Sequence, residues 1–173
     1  MSTTIQSRAR RALMLPIVVA GVIPLLLLWA TNSLNPLWGT TFPINVIILI
    51  AGVGAICAGL YLITVTVRLF SSVGQGTLAP WDATKHLVVE GVYRYVRNPM
   101  HTGVFSILLG EALLTGSLAI AIMWAVTVLL HLFYIPLSEE RGLEERFGEE
   151  YRVYKQHVPR WIPRRDAWLP PQS

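Results

Sequence analysis

The sequence carries two polar motifs whose side chains could bind a ligand and transfer protons. The first contains Arg97, Asn98 and His101, and the second begins with the acidic pair Glu139 and Glu140. Guanidinium groups and carboxylates form strong charge-assisted hydrogen bonds, whereas imidazoles and carboxylates accept and donate protons near neutral pH. These residue types therefore indicate a polar ligand site with acid–base groups beside it.

The stretch between the two motifs predicts how they meet. Between Asn98 and Ser138 the only formally charged side chain is Glu111, and apolar runs occupy about 100–114 and 118–137. A hairpin through a membrane would return its second end to the face that it left. We therefore expect one composite polar site at the membrane boundary. The first apolar run, about 100–114, is too short to cross the hydrocarbon core by itself, since about 20 residues are needed.

The composition supports this interpretation. The chain has 173 residues, of which 53% are hydrophobic and 14% charged, and its mean hydropathy is +0.52. These values favour an all-α integral membrane protein over a soluble domain. Two further apolar segments, about 12–31 and 44–67, predict spans in the N-terminal part, residues 1–70. With the hairpin this gives about four transmembrane helices in a single domain, 1–173.

Residues after Ser138 have an amphipathic pattern. Leu143, Phe147, Tyr151 and Tyr154 recur near the helical period with charged residues between them, which predicts a helix along the cytosolic interface. The net charge of +4 comes from basic residues at the ends of apolar segments, as the positive-inside rule expects. The pattern places both termini in the cytosol and argues against nucleic-acid binding.

Two local features of the motifs suggest ligand contacts. Pro99 is well suited to open a helix with Asn98 as its cap, which leaves backbone amides for a ligand oxygen. Alternatively, the segment is only a helix start with Arg97 at the headgroup level.

Of the pair Glu139 and Glu140, one carboxylate could bind ligand while the other pairs with an arginine. The alternative for them is favourable acidic charge in a first helical turn.

Ionisable side chains inside the apolar segments are further candidates. Glu111 is costly in lipid and normally faces protein or water, which favours a role in a site. His101 directly follows the first motif, whereas His131 is better explained as a satisfied structural residue. No histidine and carboxylate spacing predicts a metal site, and the single cysteine, Cys57, excludes a cysteine-based one.

Taken together, the motifs resemble the isoprenylcysteine carboxyl methyltransferase superfamily, which is akin to the membrane phospholipid N-methyltransferases. The resemblance covers about 74–165. It is carried by Gly91-x-Tyr93-x-x-x-Arg97-Asn98-Pro99-x-x-x-Gly103, then Glu139-Glu140-x-x-Leu143-x-x-x-Phe147-Gly148-x-x-Tyr151-x-x-Tyr154, and Val158-Pro159-Arg160.

The resemblance implies a prokaryotic member of the superfamily in a cell membrane. It also implies S-adenosyl-L-methionine bound in a cytosol-facing pocket of residues 71–173, with a lipophilic or small amphiphilic acceptor arriving from the membrane lipids. The implied cofactor-binding residues are Gly91, Tyr93, Arg97, Asn98, Pro99, His101, Gly103, Glu139 and Glu140. If the acceptor must lose a proton, the catalytic candidates are Glu111, His101 and Glu139.

Two departures from the superfamily bear on the acceptor. His101 stands where the superfamily usually has a tyrosine, and the run 131–137 lacks the arginines that suit a prenylcysteine carboxylate. Carboxylate, amine, phenol and thiol acceptors therefore stay open, as does the oligomeric state. The alternative functions are an NADPH-dependent reductase similar to sterol reductases and a non-catalytic membrane adaptor.

Overall fold

A computed structural model of the chain describes residues 13–74 and 84–170. Every regular element in these two stretches is helical, which confirms the all-α prediction. Short 3₁₀ turns occupy Pro36–Gly39 and Gly91–Arg94, and a π-helical turn occupies Ile135–Glu139. The helices are α1 (Leu13–Thr31), α2 (Ile44–Ser72), α3 (Pro99–Thr115), α4 (Leu118–Tyr134), α5 (Glu140–Phe147) and α6 (Glu149–His157).

Three helical stretches among the described residues are long and apolar enough to cross a membrane: Leu13–Thr31, Ile44–Ser72 and Leu118–Phe147. The third joins α4, the π-helical turn and α5 into one stretch. Helix α3 is not among them, because its 17 residues rise only about 26 Å, slightly less than the hydrocarbon core. The integral-membrane prediction is thus supported by three helices, and a fourth crossing by α3 stays a prediction.

The chain divides into two compact units. The unit that we call polar comprises the described parts of Met1–Met14, Thr64–Met100 and Phe133–Ser173. It includes the first polar motif as far as Met100 and the second polar motif, which begins at Glu139. The unit that we call apolar comprises Leu15–Ile63 and His101–Leu132. Glu111 is the only Asp, Glu, Lys or Arg in the apolar unit.

Glycines set the distance between α2 and α3 in the apolar unit. A Cβ on Gly59 would lie 2.5 Å from the carbonyl oxygen of Gly103, and one on Gly110 would lie 2.6 Å from that of Gly52. The two contacts are seven residues apart on each helix and run in opposite directions, so the helices are antiparallel and in close backbone contact. The small residues Gly103 and Gly110 of α3 therefore accept a neighbouring helix.

The turn between α3 and α4 is fixed by the loop that follows α1. Gly116 has φ +61°, and a Cβ there would lie only 1.7 Å from the carbonyl oxygen of Asn35. The amide of Asn35 donates to the Thr115 carbonyl oxygen at 2.9 Å, and the hydroxyls of Ser33 and Ser117 are 2.6 Å apart. A side chain at position 116 would therefore break both the turn and this anchorage.

The amphipathic tail of the polar unit is two helices rather than the one that its periodicity predicts. Gly148, at φ +56°, separates α5 from α6, because a glycine adopts this conformation at little cost and redirects the chain. The tail buries Tyr151, Tyr154 and Val158 against Val89. Its apolar face is thus covered by protein, and the tail positions the second motif against the first.

Candidate functional site

An ion pair joins the two polar motifs within the polar unit. The Nη1 atom of Arg97 lies 3.0 Å from Oε1 of Glu140, and their side chains are 8% and 7% exposed. Arg97 lies between the 3₁₀ turn Gly91–Arg94 and the start of α3, and Glu140 is the first residue of α5. The hairpin prediction that both motifs reach one place is confirmed for these two residues.

Arg160 binds both oxygens of the same carboxylate. Its Nε donates to Oε1 of Glu140 at 2.7 Å, and its Nη2 donates to Oε2 at 2.9 Å. These hydrogen bonds raise the pKa of the Arg160 guanidinium above its ordinary value. Glu140 is therefore the carboxylate of the acidic pair that pairs with arginine, and it pairs with two of them.

Sequence reasoning missed Arg160 as a residue of the site. It was expected only as an arginine near the interface and as part of the Val158-Pro159-Arg160 segment. That segment lies against the first motif: the amide of Arg97 donates to the Pro159 carbonyl oxygen at 3.0 Å. In addition, Nδ2 of Asn98 donates to the Arg160 carbonyl oxygen at 3.3 Å. The signal for its role was the presence of this segment in the superfamily motif.

The guanidinium of Arg97 is only partly satisfied by the protein. Its Nε is buried and has no hydrogen-bond partner among the described residues. Its Nη1 is close enough to Glu140 for an ion pair, but the approach is not aligned as a hydrogen bond. An unmet buried donor costs about 1–3 kcal/mol. With two guanidiniums around one carboxylate, the cluster of Arg97, Glu140 and Arg160 favours an anionic ligand group.

Tyr93 and Gly91 support this cluster from the 3₁₀ turn. Tyr93 is buried, its ring lies 5.4 Å from that of Phe70, and its carbonyl oxygen accepts a 2.7 Å hydrogen bond from the Tyr154 hydroxyl. Burial raises the pKa of Tyr93 well above its ordinary value. Gly91 has φ +54° and faces Leu69. Both residues shape the turn that leads to Arg97, and their contact with a cofactor stays a prediction.

Three other predicted residues have clear positions. Pro99 is fully buried and begins α3, as predicted. Glu139 ends the π-helical turn directly before α5. Gly103 lies against α2, where its carbonyl oxygen faces Gly59. The space at Gly103 is thus used by helix packing, and its role in cofactor binding stays a prediction.

His101 belongs to the apolar unit, where it contacts a histidine of α4. The ring centroids of His101 and His131 are 5.0 Å apart with an angle of 53° between the planes. Phe105 meets the His131 ring edge-on at 5.4 Å. His131, which sequence reasoning treated as structural, is therefore a direct neighbour of a predicted site residue.

Glu111 also lies in the apolar unit but at a different level of α3. It follows His101 by ten residues, which is about 15 Å along a helix. Its Oε2 is buried and has no hydrogen-bond partner in the described part of the chain. The structure therefore does not bring Glu111 and His101 to one point. No group of three or more His, Cys, Asp or Glu residues suited to a metal ion occurs in residues 13–74 and 84–170.

Comparisons with known proteins match most of this region. Residues 47–150 match the family model described as phospholipid methyltransferase. The protein-S-isoprenylcysteine O-methyltransferase of Schizosaccharomyces pombe is 28% identical over 114 residues, which cover 65% of this chain and 48% of that protein. The human protein of that name is 34% identical over 80 residues, or 46% of this chain and 28% of that protein.

A relative with a different printed name also matches. Methanethiol S-methyltransferase 1 of Bradyrhizobium diazoefficiens is 32% identical over 72 residues, which cover 42% of this chain and 24% of that protein. The chain thus spans about half or less of the length of these curated relatives. No solved structure matches it significantly.

Proposed function

We propose that this chain, which belongs to the phospholipid methyltransferase family, is an integral membrane methyltransferase. Its methyl donor is S-adenosyl-L-methionine, and its acceptor is a lipophilic or small amphiphilic molecule. The relatives that carry methyltransferase names support this reaction class. S-adenosyl-L-methionine supplies a methyl group bonded to a positively charged sulfur.

The observation that carries the proposal is the cluster of Arg97, Glu140 and Arg160. The buried Nε of Arg97 needs an acceptor oxygen, and the carboxylate of the cofactor's methionine part supplies one of the right charge. Glu140 holds both guanidiniums in place through its two oxygens. In this proposal Glu140 acts on the cofactor through the arginines, whereas Glu139 is the carboxylate for its ammonium or ribose hydroxyl groups.

The remaining predicted residues complete the proposal. Asn98 ties the first motif to the segment that bears Arg160, and Gly91, Tyr93, Pro99 and Gly103 set the backbone on which the polar groups stand. His101, Glu139 and Glu111 remain the proposed acid–base candidates. Methyl transfer from a sulfonium depends mainly on alignment and on exclusion of water. A site at the membrane boundary can align an acceptor that arrives from lipid and can keep water away from it.

The proposal includes an orientation in which both termini face the cytosol of a prokaryotic cell. The basic residues at the ends of the apolar segments support it. A reporter that is active only in the cytosol, fused after the C-terminus, should be active. An inactive fusion, together with activity of a second reporter that works only in the periplasm, would reverse this orientation.

Equilibrium binding to purified, detergent-solubilised protein tests the proposed function. We expect S-adenosylhomocysteine to bind and NADPH not to bind. Arg97→Gln should weaken the binding of S-adenosylhomocysteine at least tenfold, about 1.4 kcal/mol. The matched control is Arg152→Gln, because Arg152 forms an exposed ion pair with Glu149 in the same unit. Binding of NADPH alone would support the reductase, and binding of neither would support the adaptor.

A further inference from the structure

Tyr151, the third residue of α6, is buried in the core of the polar unit. It is 2% exposed and packs with Val89, Tyr154 and Val158. Its ring lies 6.0 Å from that of Tyr154 in an edge-on contact. Because protein interiors are close-packed, these neighbours restrict the ring and hold its hydroxyl in one place.

The Tyr151 hydroxyl lies at the charged cluster of the proposed site. It makes a side-chain hydrogen bond with Arg97 and interacts electrostatically with Glu140. Arg160 also interacts electrostatically with Tyr151. The Nε and Nη1 atoms of Arg97 nevertheless have no hydrogen-bond partner among the described residues. The hydroxyl is thus a fourth polar group of the cluster, next to donors that still need an acceptor.

The chemistry of the two groups fixes the direction of the hydrogen bond between Tyr151 and Arg97. A guanidinium has donors and no acceptor, so the oxygen of Tyr151 accepts. Burial raises the pKa of Tyr151 to about 12, so the hydroxyl keeps its own hydrogen at physiological pH. Within residues 13–74 and 84–170, the bond with Arg97 is the only hydrogen bond of the Tyr151 side chain. The O–H group therefore remains available as a donor beside Arg97.

The charge of the cluster indicates what these donors bind. The two guanidinium groups and the one carboxylate leave a net positive charge, to which the neutral Tyr151 adds nothing. A single carboxylate balances this charge and offers two acceptor oxygens to the N–H and O–H donors. A phosphate monoester, with close to two negative charges, would exceed it. The cluster is therefore suited to a carboxylate ligand.

We infer that Tyr151 is a binding residue of the cofactor site and selects for the carboxylate of the cofactor's methionine part. Its hydroxyl accepts a hydrogen bond from Arg97 and donates one to a carboxylate that Arg97 also binds. The inference rests on the proposed methyltransferase function and adds to its site a residue that discriminates between ligands. No covalent bond is made or broken at Tyr151, so the effect is on affinity.

Two ligands that differ in one group test this role. Decarboxylated S-adenosylhomocysteine lacks the carboxylate and keeps every other group of S-adenosylhomocysteine. We expect the purified, detergent-solubilised protein to bind S-adenosylhomocysteine about 100-fold more tightly than the decarboxylated ligand. Tyr151→Phe should reduce this preference at least tenfold, because phenylalanine fills the space of the ring without a donor or an acceptor. Its affinity for the decarboxylated ligand should stay within about twofold of that of the unmodified protein.

The matched control is Tyr154→Phe, at the other buried tyrosine of α6. The Tyr154 hydroxyl donates to the carbonyl oxygen of Tyr93, so its removal should lower stability and leave the ligand preference unchanged. In Arg97→Gln protein, adding Tyr151→Phe should reduce the preference by less than about threefold, because both side chains act on one carboxylate. If Tyr151→Phe does not fold, para-fluorophenylalanine at position 151 replaces it, since fluorine fills the space of the hydroxyl without a hydrogen to donate.

The outcomes separate this inference from the function on which it rests. An unchanged preference in Tyr151→Phe, or a full tenfold loss on adding it to Arg97→Gln, would overturn the inference. An equal loss of affinity for both ligands would assign Tyr151 a structural role. Equal affinity of the unmodified protein for the two ligands would exclude a carboxylate site here and leave the methyltransferase reaction class standing. Failure of the unmodified protein to bind S-adenosylhomocysteine would overturn both proposals.

Discussion

Arg97 and Glu140 form a buried ion pair, with Nη1 of Arg97 3.0 Å from Oε1 of Glu140. The pair connects the segment before α3 to the first residue of α5. Because Arg160 binds the same carboxylate, three distant parts of the sequence depend on one side chain. Removing one partner of a buried pair is costly, since the charge left behind has lost its compensation.

Glu140→Ala should therefore weaken both the fold and cofactor binding. We expect a loss of about 3–5 kcal/mol in the free energy of unfolding, as for other buried pairs that lose one partner. We expect the affinity for S-adenosylhomocysteine to fall at least tenfold, about 1.4 kcal/mol. Thermal unfolding in detergent and equilibrium binding measure the two effects. The control is Glu149→Ala: the Glu149 side chain is 73% exposed, so this variant should change stability by at most about 0.5 kcal/mol. A destabilised Glu140→Ala protein with unchanged affinity would contradict the cofactor role.

Gly59→Ala should destabilise the contact between α2 and α3. The added Cβ would lie 2.5 Å from the carbonyl oxygen of Gly103, so the helices must separate at a cost of about 1–3 kcal/mol. Gly54→Ala on the same helix is the control, because nothing lies within 4 Å of a Cβ there. The better helix propensity of alanine makes that variant neutral or more stable by up to about 1 kcal/mol. Equal melting temperatures for the two variants would exclude close packing at Gly59.

The buried tyrosines should make the polar unit sensitive to alkali. Burial raises the pKa of Tyr151 to about 12 and that of Tyr154 further. Tyrosines in the unfolded chain ionise near pH 10. The contribution of Tyr151 and Tyr154 to the free energy of unfolding is therefore complete below about pH 10, and it is lost as the pH rises through their folded-state pKa values. Melting temperatures at pH 8 and pH 11 should differ less in Tyr154→Phe than in the unmodified protein. Tyr95→Phe, at a more exposed tyrosine, should keep the full difference.

Tyr154→Phe should also lower stability at pH 8. The hydroxyl of Tyr154 donates to the carbonyl oxygen of Tyr93 at 2.7 Å in a buried environment. Its removal leaves that carbonyl unsatisfied, which costs about 1–3 kcal/mol. A variant as stable as the unmodified protein at pH 8 would mean that another donor replaces this hydroxyl.

Glu111→Gln should impair turnover more than folding. Glutamine keeps the volume of the side chain and removes its capacity to hold a charge, and the buried Oε2 of Glu111 has no hydrogen-bond partner within the described residues. Methyl-transfer rates and thermal unfolding are compared in the same preparation. Turnover equal to that of the unmodified protein would assign Glu111 a structural role.

The sequence predicted the helical fold and the meeting of the two motifs, because both follow from local patterns. Pro99 marks the start of α3, and an uncharged stretch flanked by polar motifs predicts a hairpin. The division of the tail at Gly148 was missed, since the apolar residues keep a helical period on both sides of the break. The sequence does not give the partner of Gly59, because small residues recur along α2 and only the packed structure selects Gly103.

The partners within the site were harder to predict than its location. Arg160 looked like one of several basic residues near the interface, and its bond to Glu140 depends on how the chain turns after α6. The ring contact between His101 and His131 was not predicted, because the two residues are 30 positions apart in sequence. Both contacts join residues that are far apart in sequence, so the spacing of residues along the chain does not predict them.

The shared carboxylate of Glu140 has a consequence for biosynthesis. Arg97 leaves the ribosome 43 residues before Glu140 and 63 before Arg160, so during translation it has neither its counter-ion nor the second guanidinium. The cluster closes only after α4 has been made and the chain has returned to α5. A nascent chain that stops short of α5 therefore keeps the Arg97 guanidinium without the carboxylate that compensates its charge in the finished protein.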